Sequence, residues 1–283
     1  MPSTNQYTLE DIIRLSVSAG KSIMEVYNTD FDVVQKSDNS PVTAADMAAH
    51  HVIVNGLNKL TPDIPVLSEE SAKIPFKERT QWQRYWLVDP LDGTREFVKR
   101  NGEFTVNIAL IDDHESVLGV VYAPVTGDLY YAERGNGAYK KKPDSEPTKI
   151  SSRKKEAQCT IIAGSRSHRG DSLTHFLKNI GKHEVIPMGS SLKSCLVAEG
   201  RADIYPRLGP TSEWDTAAAQ CVVEEAGGLL TTTDMKPLRY NTKESLLNPY
   251  FIAFGNAKKD WARILKDILN WPIHLQQIYL PQW

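Results

Sequence analysis

The segment WLVDPLDGT, Trp86 to Thr94, sets Asp89 and Asp92 three residues apart around a proline and directly before Gly93-Thr94. Hard divalent cations take oxygen ligands, and two carboxylates held by one turn can converge on such an ion. The backbone N–H groups of Gly93 and Thr94, at the start of the helix expected for REFVKR, would cradle a phosphate oxygen. The same residue types also make an ordinary turn and N-cap, since Asp, Pro and Gly are all turn formers. Three further acids weigh against that simpler reading. Glu69, in Ser68-Glu69-Glu70, ends a strand beside a second carboxylate, where repulsion has a cost unless a cation or solvent intervenes. Asp46 and Asp215 each fall in the first turn of an expected helix, a position that equally suits an acid meeting the helix dipole. Acids gathered at strand ends and helix starts, with a phosphate-cradling turn among them, form a candidate site for Mg²⁺, which keeps waters and is commonly shared with a substrate phosphate. No serine or cysteine has an evident base beside it, so no covalent nucleophile is expected.

These residues need elements to hold them. Residues 8–27 place Leu9, Ile12, Ile13, Val17, Ile23, Met24 and Tyr27 on one helical face. After the loop QKSDNSP a second amphipathic helix is expected over 43–60, starting at Thr43 with Asp46 three residues on, the pattern of a capping box. IPVLSEE and RYWLVDP read as short strands ending in acids. A meander follows at 104–111, 117–124 and 128–133, with a turn at Gly135-Asn136-Gly137. The polar stretch KKKPDSEPTKISSRKKEAQ divides the chain near residue 150 into an N-terminal lobe, 1–150, and a C-terminal lobe, 151–283. In the second half, strands at 160–164 and 202–207 alternate with helices at 170–180, 191–199 and 214–226. FIAFGNA and a helix near 258–269 come last. Strand and helix alternating on both sides of a meander predict a layered α/β architecture.

Composition narrows the function. With 33 basic and 35 acidic residues the net charge is −2, which provides no global basic field for a nucleic acid polymer. An anionic ligand must therefore be held locally. No run of eighteen or more apolar residues is present, so no transmembrane helix is expected, and the first residues lack the pattern of a signal peptide. Cys159, Cys195 and Cys221 are far apart and odd in number, which fits reduced thiols in the cytoplasm better than a zinc site or a disulfide framework. His50 and His51 begin no metal motif and read as ordinary helix residues.

The set DNSPVTAAD, LSEE, WLVDPLDGT and WDTAA resembles the inositol monophosphatase superfamily of lithium-sensitive, magnesium-dependent phosphatases, in order and spacing across most of 8–256. KRNGEFTVNIALI, SRSH at 165–168, GSSLK at 189–193, IYPRLGPTSEWDTAA and LNPYF further resemble its branch of bacterial 3′(2′),5′-bisphosphate nucleotidases, the CysQ type. The resemblance implies the layered α/β/α/β/α sugar-phosphatase fold. It implies that Glu69, Asp89 and the carbonyl of Leu91 hold one Mg²⁺, and that Asp89, Asp92 and Asp215 hold a second. Asp46 and Thr94 would orient the attacking water, with Glu69 helping through its metal-bound shell. Glu69, Leu91, Asp92, Gly93, Thr94 and Asp215 would border the reacting phosphate. His168 would lie against adenine, while Ser190, Lys193 and Arg207 would reach a 5′-phosphate. Residue types alone leave other roles for three of these four: Ser190 or His168 as a helix cap, Lys193 as a solvated helix residue. The implied substrate is a small nucleotide, adenosine 3′,5′-bisphosphate, hydrolysed to AMP and phosphate. Its sulfated analogue, 3′-phosphoadenosine 5′-phosphosulfate, would be a second substrate, which places the enzyme in sulfur assimilation. The alternatives are an inositol-phosphate or fructose-1,6-bisphosphate phosphatase and, from another class, a catalytically silent nucleotide-binding regulator. The resemblance leaves oligomeric state and peripheral association with the inner membrane open.

Overall fold

The computed structural model describes residues 7–30, 33–35, 41–154, 158–165, 176–255 and 259–269. Helix α1 (Leu9–Tyr27) starts on a Thr8–Asp11 capping box, and α2 (Ala44–Leu60) starts on the expected Thr43–Asp46 box. The loop expected between them contains a short antiparallel ladder, β1 (Val33–Gln35) with β2 (Pro41–Thr43). The next strands, β3 (Val66–Ser68), β4 (Arg84–Asp92), β5 (Thr105–Asp112), β6 (Glu115–Ala123), β7 (Asp128–Glu133), β8 (Gly137–Lys141) and β9 (Thr148–Lys149), lie in that order in a seven-stranded sheet. Its β3–β4 pair is parallel and the rest is an antiparallel meander. A five-stranded sheet follows, ordered β11-β10-β12-β14-β13, from β10 (Thr160–Ser165), β11 (His183–Met188), β12 (Ile204–Arg207), β13 (Leu229–Thr232) and β14 (Phe251–Phe254).

Period-two alternation sorts the strand side chains into three apolar layers. Trp86 and Val88 of β4, with Val106, Ile108 and Leu110 of β5, pack against Ile12, Ile23, Ile53 and Leu57 of α1 and α2. Their neighbours Tyr85, Leu87, Ala109 and Ile111 face the other way, onto α5 (Leu192–Ala198) and α6 (Ala217–Glu225), which also touch Tyr205, Phe251 and Ala253 of the second sheet. Ile204, Ile252 and Phe254 point outward again, to Phe176, Ile180, and Trp261 and Leu265 of α7 (Trp261–Leu269). The result is helices, sheet, helices, sheet, helices: the expected layered architecture. One long helix was expected over 214–226. The chain instead forms a 3₁₀ turn, Glu213–Asp215, before α6, and the break leaves Asp215 outside the regular helix. The expected strand over 202–207 begins at Ile204, and of the helix expected over 170–180 only its last residues are described.

The middle layer is thin at one point. A Cβ on Gly119 of β6 would lie 2.1 Å from the carbonyl oxygen of Ala218 in the first turn of α6. Three residues earlier on the same strand, Ser116 Oγ donates to the Ala217 carbonyl at 2.7 Å. Since Gly119 meets backbone that cannot rotate away, Gly119→Ala should cost at least the ~1–3 kcal/mol usual for overpacking. The expected readout is a lower denaturant midpoint with an unchanged slope; a midpoint equal to the parent's would show that α6 can lift off β6.

Candidate active site

The site begins with a defect in a strand. On β4, Asp89 pairs with Asn107 and Asp92 with Thr105, so three steps on β4 match two on β5. In a regular strand residues three apart face opposite sides; the extra residue of this bulge turns both aspartates to one side. Pro90 lacks an N–H and fits where the ladder is interrupted. The strand was expected to end at Asp89 but continues through the bulge to Asp92. Asp89 is buried, and its Oδ1 accepts the Leu91 N–H at 3.0 Å. Gly93 then turns the chain with φ 93°, and its carbonyl takes the N–H groups of Glu96 and Phe97 to start α4 (Thr94–Val98). A Cβ there would add strain to a left-handed backbone and crowd the Glu103 carbonyl at 3.1 Å.

Asp46 serves two purposes at once. Its Oδ2 accepts from the Thr43 N–H at 2.7 Å and the Thr43 hydroxyl at 2.8 Å, which is the cap. Its Oδ1 faces Thr94 Oγ1 at 3.3 Å, and Thr94 Oγ1 also lies 3.4 Å from the Leu91 carbonyl. Capping and site membership are therefore compatible, because a carboxylate has two oxygens. Glu69 opens the 3₁₀ turn Glu69–Ser71 after β3, near enough for its charge to act on both Asp89 and Asp215. One turn along α2 from Asp46, buried His50 Nδ1 meets Ser68 Oγ at 2.8 Å, tying the helix of Asp46 to the strand that leads into Glu69. Burial pulls His50 below its ordinary value.

The second sheet's side completes the cluster. Asp215 Oδ2 accepts the Ser212 N–H at 2.8 Å, and Asp89, Asp92 and Asp215 offer ligand oxygens that all lie within 4.8 Å of one another. Among the described residues this is the group that could hold a metal ion. Burial above all, with the charges of Glu69, Asp92, Asp215 and Asp46 added, drives Asp89 well above the usual carboxylate range. Burial, then Asp92 and Glu69, pushes Asp215 up to about 8. Crowded, dehydrated carboxylates of this kind either hold protons or share a cation, so the donor set fits a hard divalent ion.

Beside the cluster lies a cationic pocket. Ser190 is left-handed at φ 48°, and its Oγ is buried without a partner among the described residues. It does not cap the following helix. Lys193 is buried rather than solvated: its Nζ donates to the Ser190 carbonyl at 2.6 Å and sits 5.3 Å from the Tyr205 ring centroid. Burial lowers Lys193 to about 8, the charge of Asp92 opposes that, and Arg207 adds to it. Arg207 donates from Nη2 to the Pro210 carbonyl at 2.7 Å, while its buried Nε has no partner among the described residues. His168 lies outside the described residues. Sequence reasoning passed over Ser191, Asn107 and Thr105, whose polar atoms surround Asp92 Oδ2. Only the position of Ser191 beside Ser190, and of Thr105 and Asn107 opposite the bulge, could have drawn attention to them.

The model of the inositol monophosphatase family matches residues 5–268, and the chain belongs to that family. Among curated proteins it is similar to the 3′(2′),5′-bisphosphate nucleotidase CysQ of Escherichia coli K12, 51% identical over 245 residues that cover 86% of this chain and 98% of that one. It is 37% identical to the CysQ nucleotidase of Haemophilus influenzae, over 94% of this chain and 99% of that protein. Among solved structures, CysQ from Bacteroides thetaiotaomicron superposes with TM-score 0.78 at 41% identity, covering 88% of this chain and 97% of that one. No helix among the described residues is long and apolar enough to cross a membrane.

The raised value of Asp215 has a thermodynamic consequence. The fold binds a proton there more tightly than the unfolded chain, so this group stabilises the metal-free protein at low pH, and the contribution is lost as pH rises toward about 8. A cation needs the ionised carboxylates and offsets that loss. Between about pH 5 and about pH 8 the melting temperature of metal-stripped protein should fall, and added Mg²⁺ should restore it most at the upper end. Asp215→Asn should flatten the pH dependence. Calorimetry with and without chelator checks this; a stripped protein equally stable across the range would contradict the crowding.

Proposed function

We propose that this chain is a Mg²⁺-dependent 3′(2′),5′-bisphosphate nucleotidase that hydrolyses adenosine 3′,5′-bisphosphate to AMP and phosphate. The supporting observation is the pairing of two unlike pockets. A carboxylate cluster that fits a divalent cation lies beside a pocket where Lys193 and Arg207 stand together, with Arg207 Nε and Ser190 Oγ left for an acceptor. A substrate charged at both ends matches both pockets, whereas a monophosphate of a neutral polyol matches one. The relatives named for this activity, over nearly their whole length, favour the same reading.

In this reading Glu69, Asp89, Asp92, Asp215 and the Leu91 carbonyl hold the Mg²⁺. The bound ion neutralises phosphate charge and lowers the pKa of water. Thr94 and Asp46 handle the water's proton. With Asp46 Oδ2 committed to Thr43, Oδ1 is the atom that faces Thr94. The Thr94 hydroxyl donates to it, so a Thr94 lone pair accepts from the attacking water and fixes its direction. Water oxygen bonds to the 3′-phosphorus while its proton passes through Thr94 to Asp46 Oδ1, the bond from phosphorus to O3′ breaks, and O3′ leaves as the hydroxyl of AMP with a proton from solvent, to which Asp46 returns its own. The N–H groups of Gly93 and Thr94 face the phosphate as it flattens. The far phosphate sits with Ser190, Lys193 and Arg207, and His168 is assigned to the adenine. We also propose that the segments 1–150 and 151–283 act as two lobes, each supplying part of the site.

A substrate panel of adenosine 3′,5′-bisphosphate, inositol 1-phosphate and fructose 1,6-bisphosphate at fixed Mg²⁺ tests the assignment. The nucleotide should be turned over with the highest kcat/KM, and a preference for either sugar phosphate would refute the reading. Arg207→Ala should lower kcat/KM for the 3′,5′-bisphosphate by about thirty-fold or more, since truncating one partner of a desolvated charge pair costs about 2–5 kcal/mol. Hydrolysis of 3′-AMP, which lacks the 5′-phosphate, should change little. A parallel fall on both substrates would assign Arg207 to the fold or to the metal cluster.

A further inference from the structure

Asp92 presents its two oxygens to different surroundings. Oδ2 accepts the Ser191 N–H at 2.6 Å and faces the Ser191 hydroxyl at 2.8 Å, with Thr105 Oγ1 and Asn107 Nδ2 both at 3.5 Å. A carboxylate oxygen has two good acceptor directions, and the two close contacts from Ser191 occupy them. Oδ1 is thereby the oxygen kept for a cation.

The Ser191 hydroxyl does more than fill a lone pair. It lies 2.7 Å from the main-chain carbonyl of Asp215 and receives the amide of buried Asn107 at 2.9 Å. One hydroxyl carries one proton, so it donates to Asp92 Oδ2 or to the Asp215 carbonyl, not to both. When it donates to the Asp215 carbonyl, the Ser191 main-chain N–H still holds Asp92 Oδ2, so through its two donors this one residue bears on both acids. The four groups come from four elements: Asp92 from β4, Asn107 from β5, Ser191 from the turn before α5, and Asp215 from the 3₁₀ turn. Asn107 is itself paired with Asp89 across the bulge, so the network closes on the strand it supports.

We propose that Ser191, backed by Asn107, is a positioning residue for the reaction: it clasps Asp92 to Asp215 across the two sheets and selects the Asp92 oxygen that meets the cation. The proposal rests on the reading of the aspartates as a cation site. It differs from the role given to Ser190, the preceding residue, whose backbone and hydroxyl face the cationic pocket. One turn thus serves both halves of the site, the far phosphate through residue 190 and the cation through residue 191.

Outer residues that orient a metal ligand are commonly worth about ten- to a hundred-fold in metal affinity. Ser191→Ala keeps the main-chain N–H on Asp92, so the lower end, about ten-fold, is expected. The direct measurement is Mn²⁺ binding to chelator-stripped protein by electron paramagnetic resonance, which needs no substrate. Ser191→Ala should weaken binding about ten-fold, Ser191→Thr should restore it, and Ser191→Cys, of similar shape with a weaker donor, should fall between. The Mg²⁺ concentration for half-maximal phosphate release should rise in step, with KM for the nucleotide at saturating Mg²⁺ unchanged. Ser194→Ala, in the first turn of α5 and equally buried, should bind Mn²⁺ as the parent does. Normal Mn²⁺ binding by Ser191→Ala, or a loss of thermal stability without a change in Mn²⁺ binding, would overturn the proposal. So would failure of both the Ala and Cys variants to fold, since that assigns Ser191 to the fold. A parent that binds Mn²⁺ in a Ser191-dependent way but hydrolyses no phosphate ester would refute the proposed function and leave the clasp standing; an active parent whose Mn²⁺ binding ignores Ser191 would do the reverse.

Discussion

Everything in this molecule is arranged around the mutual repulsion of carboxylates that have been taken out of water. Asp89 is the centre of it, buried, with Glu69, Asp92, Asp215 and Asp46 near enough to raise it further. Left to themselves, such groups would spread apart or draw in solvent. What prevents this is that each is held by an element with an independent reason to exist. Asp46 caps α2, Asp215 takes the Ser212 N–H in its 3₁₀ turn, Asp89 takes the Leu91 N–H inside the bulge, and Asp92 is gripped by the turn before α5. The stability of ordinary secondary structure is spent on keeping like charges together, the usual relation between a fold and a site under strain.

That dual use explains why part of the site was legible in the sequence. The capping box at Thr43–Asp46 is a local pattern, and local patterns can be read along a chain. Asp-Pro-Leu-Asp-Gly announced two acids in a turn, and the alternation of strand and helix on both sides of a meander announced the layers. The family resemblance added the link between acids far apart in sequence. What stayed hidden depends on registration between strands. Asp89 and Asp92 face one way because β4 carries an extra residue relative to β5, and no property of DPLDG alone says where its partner will slip. Ser191 and Asn107 were missed for the same reason: a serine and an asparagine have no chemistry of their own to flag until a carboxylate from another strand is laid against them. The helix read as one piece over 214–226 is two pieces because Asp215 must leave the helical path to reach the cluster, a tertiary demand that overrides the apolar periodicity around it.

The pocket next to the cluster obeys the opposite rule. Lys193 and Arg207 are brought together instead of being separated, and Lys193 sits over Tyr205 with its ammonium on the Ser190 carbonyl. Two cations and several anions thus share a small volume, with burial lowering Lys193 and raising Asp89 and Asp215. A ligand charged at both ends and bound to a cation at one of them brings what each half lacks, so binding and the relief of electrostatic strain are one event.

The division of the clustered aspartates between β4 and the turn before α6 has a consequence for how the chain is made. A ribosome releases Asp89 and Asp92 long before it has added Asp215, with the whole meander and most of the second sheet synthesised in between. During that interval the nascent N-terminal half carries Asp46, Glu69, Asp89 and Asp92 without the fifth acid that completes the crowding. The full charge conflict needs the turn before α6, so a chain that has not yet reached Asp215 offers two of the three clustered aspartates.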